Sequence, residues 1–362
     1  QVIQGIESGI KRSLELIEAN SRDIAAIDDR RLLDVACIAG RGQQELARLV
    51  MAAAQIVGRE RMLEEDFRFS DAVLARESVD SRVFKGIVIN REALNSDMPD
   101  FLDNVSVLVV DDALAPEEID NEARGTESGF QYYLKNKEQY QKDLHNIIAL
   151  GVNLVLTDRS IDDIGEQILG DAGIIAVQRV SQRELDRVCQ HTGARKIKRS
   201  GLSKPRAELS TYLGQAGRVE IDHRTRHTII YDGAGQTLAT IMIGAATEEL
   251  VDEKERIARD AAAAVQAALQ KGIVPGAGAI EVFIARQLED MARQLKGMSS
   301  YGVLCVKEAL LKPFACIAGN AGFNPLEKLG DVMAEQMQND SDCMGIECEN
   351  GQIINVLEAG IV

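Results

Sequence analysis

Asp260 is the carboxylate whose setting most invites a chemical role. It lies in Glu255-Arg256-Ile257-Ala258-Arg259-Asp260-Ala261, within an otherwise alanine-rich helical stretch. Arg256 stands four residues earlier, so Asp260 reads either as half of a surface ion pair or as a general base that orients a water. A second candidate is Pro275-Gly276-Ala277-Gly278-Ala279, which falls between two helical stretches. Glycine lets backbone approach a ligand closely and a helix N-terminus attracts an anion, but a tight helix–helix turn asks for the same residues. Other chemistries lack their parts. His223 and His227 are four apart in a strand-like segment, too far along a strand to share one ion. Cys343 and Cys348 have no second pair of zinc ligands, and no histidine motif ties a base to any cysteine. Neither a GxxxxGK[ST] loop nor a GxGxxG turn between strand and helix occurs.

The charge balance narrows the partners. With 41 Lys+Arg against 57 Asp+Glu the formal charge is −16, and such a surface repels phosphate backbones and anionic lipid. Neither nucleic acid nor a membrane is therefore an expected partner. No apolar run nears the ~20 residues that span a bilayer. Six cysteines without a CxxC pair read as reduced thiols of a cytoplasmic protein. With no Trp and 4% aromatics, aliphatic side chains must fill the core, and 362 residues imply more than one domain.

Periodicity places the elements that must hold these residues. Ile3, Ile6, Ile10, Leu14 and Ile17 recur at helical spacing, and Leu46, Val50, Ala53 and Val57 mark a second helix after Gly40-Arg41-Gly42. Residues 62–77 look like a charged connector. In the middle third, strands at 84–90, 105–110, 151–156 and 173–177 alternate with helices at 126–150, 161–169 and 182–191. That rhythm predicts βαβ units around a largely parallel sheet. Residues 227–231 and 238–243, separated by Gly233-Ala234-Gly235, read as a hairpin or paired strands. Helices return at 248–270, 281–295 and 302–318, a turn at 320–325 and a closing strand at 351–356. Helical ends thus flank an α/β middle, which is an insertion if the ends pack together.

The chain resembles group II-type chaperonins, the thermosome and eukaryotic cytosolic ring-chaperonin family, through segments in family order. They include Ala39-Gly40-Arg41-Gly42, Lys85-Gly86-Ile87-Val88-Ile89-Asn90, Asp97-Met98-Pro99, Ile174-Ile175-Ala176-Val177-Gln178-Arg179-Val180 and Thr192-Gly193-Ala194. Leu213-Gly214-Gln215-Ala216, Thr247-Glu248-Glu249, Asp252-Glu253, Val274-Pro275-Gly276-Ala277-Gly278-Ala279-Ile280-Glu281, Asn320-Ala321-Gly322-Phe323-Asn324-Pro325 and Leu357-Glu358-Ala359-Gly360-Ile361-Val362 follow. The resemblance implies a mixed α/β nested architecture. Residues 1–21 and 276–362 correspond to a helical equatorial domain, 22–84 and 244–275 to an intermediate domain, and 85–243 to an inserted apical domain that binds substrate.

The same resemblance implies an ATPase that uses ATP and Mg²⁺ to close a ring of subunits around unfolded polypeptides, with copies of itself or paralogous subunits as ring partners. Asp260 matches the aspartate that activates the attacking water. Gly276, Ala277, Gly278 and Ala279 match the glycine-rich nucleotide contact, with Ala277 in place of a middle glycine. Glu347 sits beside the nucleoside, and Arg41 takes a lysine position in the loop that senses the γ-phosphate, keeping the charge but changing its geometry. A lid protrusion falls within residues 115–141, where Phe130, Tyr132 and Tyr133 offer an adhesive surface for unfolded chains and Tyr140 packs down onto the sheet. The family's GDGTT-type phosphate loop, with its Mg-binding aspartate, precedes the first matched segment and is not among these residues. The expectation is poor ATP binding by this stretch alone, with Gln1 favouring a fragment. The alternative is a reduced, non-ATPase holdase or substrate-binding scaffold.

Overall fold

The computed structural model of the chain describes residues 1–117 and 127–362; Glu118, Ile119 and Asp120 of the expected lid segment lie outside the described residues. The backbone forms two compact units, Gln1–Ser81 with Met242–Val362, and Arg82–Ile241. The chain is mixed α/β: helices build most of the first unit, and a sheet with covering helices builds the second.

The first unit opens with α1 (Val2–Asn20), α2 (Arg30–Ala39), α3 (Gln44–Val57) and β1 (Val73–Glu77). On α3 the expected stripe Leu46, Val50, Ala53 and Val57 is buried. The charged connector contains a short helical turn, Arg59–Met62, before β1.

The second unit contains β2 (Arg82–Ile89), β3 (Phe101–Val110), α4 (Glu127–Ala149), β4 (Leu154–Thr157), α5 (Asp163–Asp171), β5 (Ile175–Val177), α6 (Gln182–Thr192), β6 (Gly214–Asp222), β7 (His227–Gly233) and the start of β8 (Ala239–Ala245). Its strands lie in the order β8-β2-β7-β6-β3-β4-β5. The largely parallel sheet expected from the rhythm is a mixed one. β3, β4 and β5 run parallel, joined through α4 and α5, whereas β6 pairs antiparallel with β3 and β7, and β7 with β2. The tight turn after Asp222 makes β6 and β7 antiparallel, since a crossover would need a dozen or more residues. Its carboxylate accepts the Arg224 and Thr225 amides at 3.0 and 3.2 Å.

The expected pairing of residues 227–231 with 238–243 does not form, because β2 lies between the two strands. The reason is local. Gly235 and Gln236 N–H donate to His191 O and Gln190 O at 2.8 and 2.7 Å, which pins the glycine loop to the end of α6 and carries the chain past β2. His191 completes the clasp, accepting the Gly233 N–H at Nε2 (3.0 Å) with Nδ1 3.3 Å from Gln236 O. Burial pushes its pKa down to about 4, so the ring is neutral here.

β3 and β4 are buried on both faces where their apolar runs are continuous. Leu108 and Val155 pack with Leu144 and Ile147 of α4 and Leu169 of α5. Tyr140 is buried, its hydroxyl donating toward Leu114 O at 2.8 Å and Asp162 Oδ1 at 2.6 Å.

The chain then returns to the first unit with α7 (Glu248–Lys271), α8 (Ala279–Gln294), α9 (Met298–Asn320), α10 (Pro325–Gln338) and the hairpin of β9 (Met344–Ile346) and β10 (Ile353–Asn355). Here α1 shows which of its faces packs. Ile3 is 71% and Ile10 49% exposed, while Gly5, Gly9, Ser13 and Leu16 are buried. A Cβ on Gly5 would collide with Ser299 O and stand 3.0 Å from Gly302 Cα of α9. The helices cross at backbone contact, and only small residues fit there. Leu16 then joins Ile280, Ile284, Leu288 and Val303 in the core. Among the described residues no helix is long and apolar enough to cross a membrane.

Gly5→Ala should therefore destabilise the protein by about 1–3 kcal/mol through overpacking, against a helix-propensity gain of about 1 kcal/mol. Ile10→Ser should stay within about 0.5 kcal/mol of wild type. Urea unfolding measures both, and a stabilised Gly5→Ala variant would contradict the close crossing.

Candidate functional site

Three segments distant in sequence meet at Arg22. Its N–H and C=O exchange hydrogen bonds with Ile273 at 2.8 and 3.0 Å, directly after α7 ends at Gly272. Its guanidinium forks onto Asp342, with Nη1 to Oδ2 at 3.0 Å and Nη2 to Oδ1 at 2.7 Å. Burial opposes ionisation of Asp342, yet hydrogen bonds from Arg22 and the Cys343 thiol, with the guanidinium charge, hold its carboxyl below the usual range. The clasp fixes where the glycine turn leaves α7 and where β9 begins.

The turn itself has a strained backbone. Ala277 and Gly278 take φ of 54° and 78°, and Ala279 N–H closes onto Gly276 O at 3.0 Å. Gly278 lacks a Cβ because one would stand 2.9 Å from Phe314 Cβ. No side chain caps the start of α8, and with Ala279 N–H turned to Gly276 O, the amides of Ile280 and Glu281 are left to another acceptor. Gln336 of α10 donates to Ala279 O at 2.9 Å and Met344 O at 3.0 Å, joining this turn to β9. The structure thus brings Gly276–Ala279 and the hairpin of Glu347 together. The Glu347 carboxylate accepts the Glu349 and Asn350 amides at 3.0 and 3.3 Å, closing its own turn.

Arg41 and Asp260 belong to another group, strung along α7. Arg41 sits at φ 54° after α2, in a loop closed by Gly42 N–H to Cys37 O at 2.7 Å. Its Nη1 is 2.5 Å from Glu253 Oε1. Arg256, the anticipated partner of Asp260, turns instead to Glu253, with contacts of 2.8, 3.1 and 3.2 Å. Asp260 is exposed and has no hydrogen bond or ion pair among the described residues, although Arg256 feels its charge. Spacings of three, four and seven put Glu253, Arg256 and Asp260 on one helical face. α2 links the two groups. Gly360, directly before Ile361 whose carbonyl accepts the Gly276 N–H at 3.2 Å, lies against the Asp34 carboxylate. Asp34 lies within α2, and Arg41 just past its C-terminal end.

Sequence reasoning passed over Glu253, Asp34, Arg22 and Asp342. The i, i+3 spacing of Glu253 and Arg256 was a usable signal; the clasp, 320 residues apart, left no local one. The remaining candidates lie elsewhere. His223 is exposed, its Nε2 2.7 Å from Asp100 Oδ1, while His227 is buried. No group of three or more His, Cys, Asp or Glu able to hold a metal occurs among the described residues. Cys343 is buried beside Asp342, and Cys348 is exposed. On α4, Phe130 and Tyr132 are about half exposed and Tyr133 less so, with the Tyr132 hydroxyl 3.3 Å from Glu117 Oε2.

A family model, the TCP-1/cpn60 chaperonin family, matches residues 1–362. The chain is 27% identical to a thermosome subunit of Pyrococcus horikoshii, over 100% of this chain and 68% of that protein. It is 28% identical to thermosome subunit alpha of Halobacterium salinarum, over 99% and 65%. A crystal structure of a group III chaperonin in the open state superposes with a TM-score of 0.91 at 42% identity, covering 99% of this chain and 73% of that one. An open-state monomer of a group II chaperonin from Methanococcoides burtonii shares the fold, with a TM-score of 0.69 at 23% identity, covering 99% and 86%. The chain belongs to the TCP-1/cpn60 chaperonin family. It spans about two-thirds of the length of the thermosome subunits it matches.

The family implies ATP and Mg²⁺. An uncapped helix start behind a positive-φ turn, with a half-exposed arginine on a glycine-flanked loop, suits phosphate oxygens. No group of three or more metal-ligating side chains gathers among the described residues, and no step is assigned to a metal.

Because the folded pKa of Asp342 is depressed, its contribution is full above the unfolded value of about 3.9 and is lost as pH falls through the folded one. Asp342→Asn should cost about 1–3 kcal/mol at pH 7, and that difference should shrink near pH 3. Denaturation at both pH values checks this, and an equal cost at both would remove the charge from the account.

Proposed function

We propose that the chain is the larger part of an ATP-driven chaperonin subunit that works in a cytoplasmic ring of like or paralogous subunits, encloses unfolded polypeptides and assists their folding. In this reading residues 1–21 and 276–362 serve an equatorial nucleotide-binding domain, 22–84 and 244–275 an intermediate hinge, and 85–243 an apical domain. Family membership supports the division.

Gly276, Ala277, Gly278 and Ala279 present backbone to the nucleotide at the uncapped start of α8. Glu347, its carboxylate already held by two amides, borders the nucleoside as a fixed wall. Arg41 meets the γ-phosphate, and Asp260 orients the attacking water and accepts its proton. Phe130, Tyr132 and Tyr133 offer unfolded chains an aromatic surface on α4, where exposed rings supply large apolar area with a polar edge.

One observation carries the catalytic reading. Asp260 stands without an ion pair among the described residues, because the arginine one turn before it is engaged by Glu253. A carboxylate kept out of ion pairs can hold and deprotonate a water. Asp260→Ala in the full-length subunit should lower ATP turnover by about 10²-fold or more and leave ATP affinity within about twofold, since the group acts in the transition state. Undiminished turnover would return Asp260 to the ordinary surface.

A further inference from the structure

Glu253 lies between two arginines that the proposed chemistry needs in different places. Its carboxylate holds Arg41 at 2.5 Å and Arg256 at 2.8 Å, and none of the three side chains is buried. We propose that Glu253 is a positioning residue for nucleotide hydrolysis: it keeps Arg41 in waiting until a phosphate displaces it, and keeps Arg256 off Asp260. The proposal rests on the reading of Arg41 and Asp260 given above and adds the control of both.

The geometry suits an exchange. The loop backbone at Arg41 is pinned by Arg41 N–H to Ile38 O, Gly42 N–H to Cys37 O and Gln43 N–H to Gly40 O, at 3.0, 2.7 and 3.1 Å. Movement is thus left to the side chain. Exposed ion pairs are weak, whereas a guanidinium and a phosphate form paired, charge-assisted bonds, so a bound phosphate outcompetes the carboxylate. Release of Arg41 strands no charge, because Arg256 retains three contacts with Glu253.

The second half of the role follows from spacing. Arg256 and Asp260 are four apart on α7, the separation at which opposite charges pair. With Glu253 neutralised, Arg256 turns to Asp260, and a carboxylate paired with a guanidinium is a weaker base. Loss of Glu253 thus tightens phosphate binding yet slows turnover, a split that a merely structural residue would not produce.

The test is steady-state ATP hydrolysis by the full-length subunit carrying Glu253→Gln, with Mg·ATP as the varied substrate. The apparent KM should fall about two- to fivefold, the worth of one exposed ion pair, while kcat falls about tenfold. Adding Arg256→Ala to Glu253→Gln should restore kcat and leave the lowered KM. Arg41→Ala alone should raise KM. If Arg41→Ala leaves KM unchanged, the phosphate reading of Arg41 fails and this proposal with it. If Arg41→Ala raises KM but Glu253→Gln moves neither constant, the phosphate reading stands and the role of Glu253 is overturned. A KM and kcat that fall in Glu253→Gln without rescue of kcat by Arg256→Ala would overturn the Arg256 half. An unchanged melting temperature in Glu253→Gln confirms that the variant folds.

Discussion

The forked ion pair of Arg22 with Asp342 is the constraint on which the first unit turns. It is made by residues 320 apart, so it closes a very long loop, and its backbone bonds to Ile273 fasten a third segment at the same point. The end of α1, the end of α7 and the start of β9 cannot move independently while it holds. Every residue assigned to the glycine turn and the Glu347 hairpin hangs from one of those three ends. A fork of two charge-assisted bonds sets orientation as well as distance, which one lysine contact would not.

From that anchor α7 carries the site outward. Its alanine-rich face is buried, with Ala258, Ala261, Ala262 and Ala268 allowing neighbouring helices close approach. Its other face bears Glu253, Arg256 and Asp260 in register. One helix thus joins a tightly packed, shape-determined side to a solvated, charge-determined one. The packed side gives precision. The charged side remains responsive, because its ion pairs are weak enough to exchange partners.

Much of the element order could be read in advance, and the failures have physical causes. Residues 105–110 were recognisable because continuous apolar runs occur where a strand is covered twice, and the strand expected at 151–156 runs over Leu154–Thr157. The packed face of α1 was not, since apolar periodicity pointed to Ile3 and Ile10 while the helix crossing demands Gly5 and Gly9. A four-residue spacing of Gly5, Gly9 and Ser13 was the better guide. The sheet order escaped because the loop after β7 is pinned to α6 by bonds to Gln190 and His191, a tertiary effect without local signature. At the site, family resemblance pointed to Arg41, Asp260, Gly276–Ala279 and Glu347. The spacing rule alone paired Asp260 with Arg256 and overlooked that Glu253 competes for the same guanidinium with more contacts.

The central claim is that the uncapped start of α8 and the Arg41 loop serve a phosphate-bearing ligand. Hydrogen exchange of the full-length subunit with and without Mg·ATP tests it at both places in one experiment. The account predicts slower exchange at the amides of residues 277–281 and 40–43 when nucleotide is present, with little change across the α1–α9 crossing. Unaltered exchange at both segments under saturating nucleotide would contradict it.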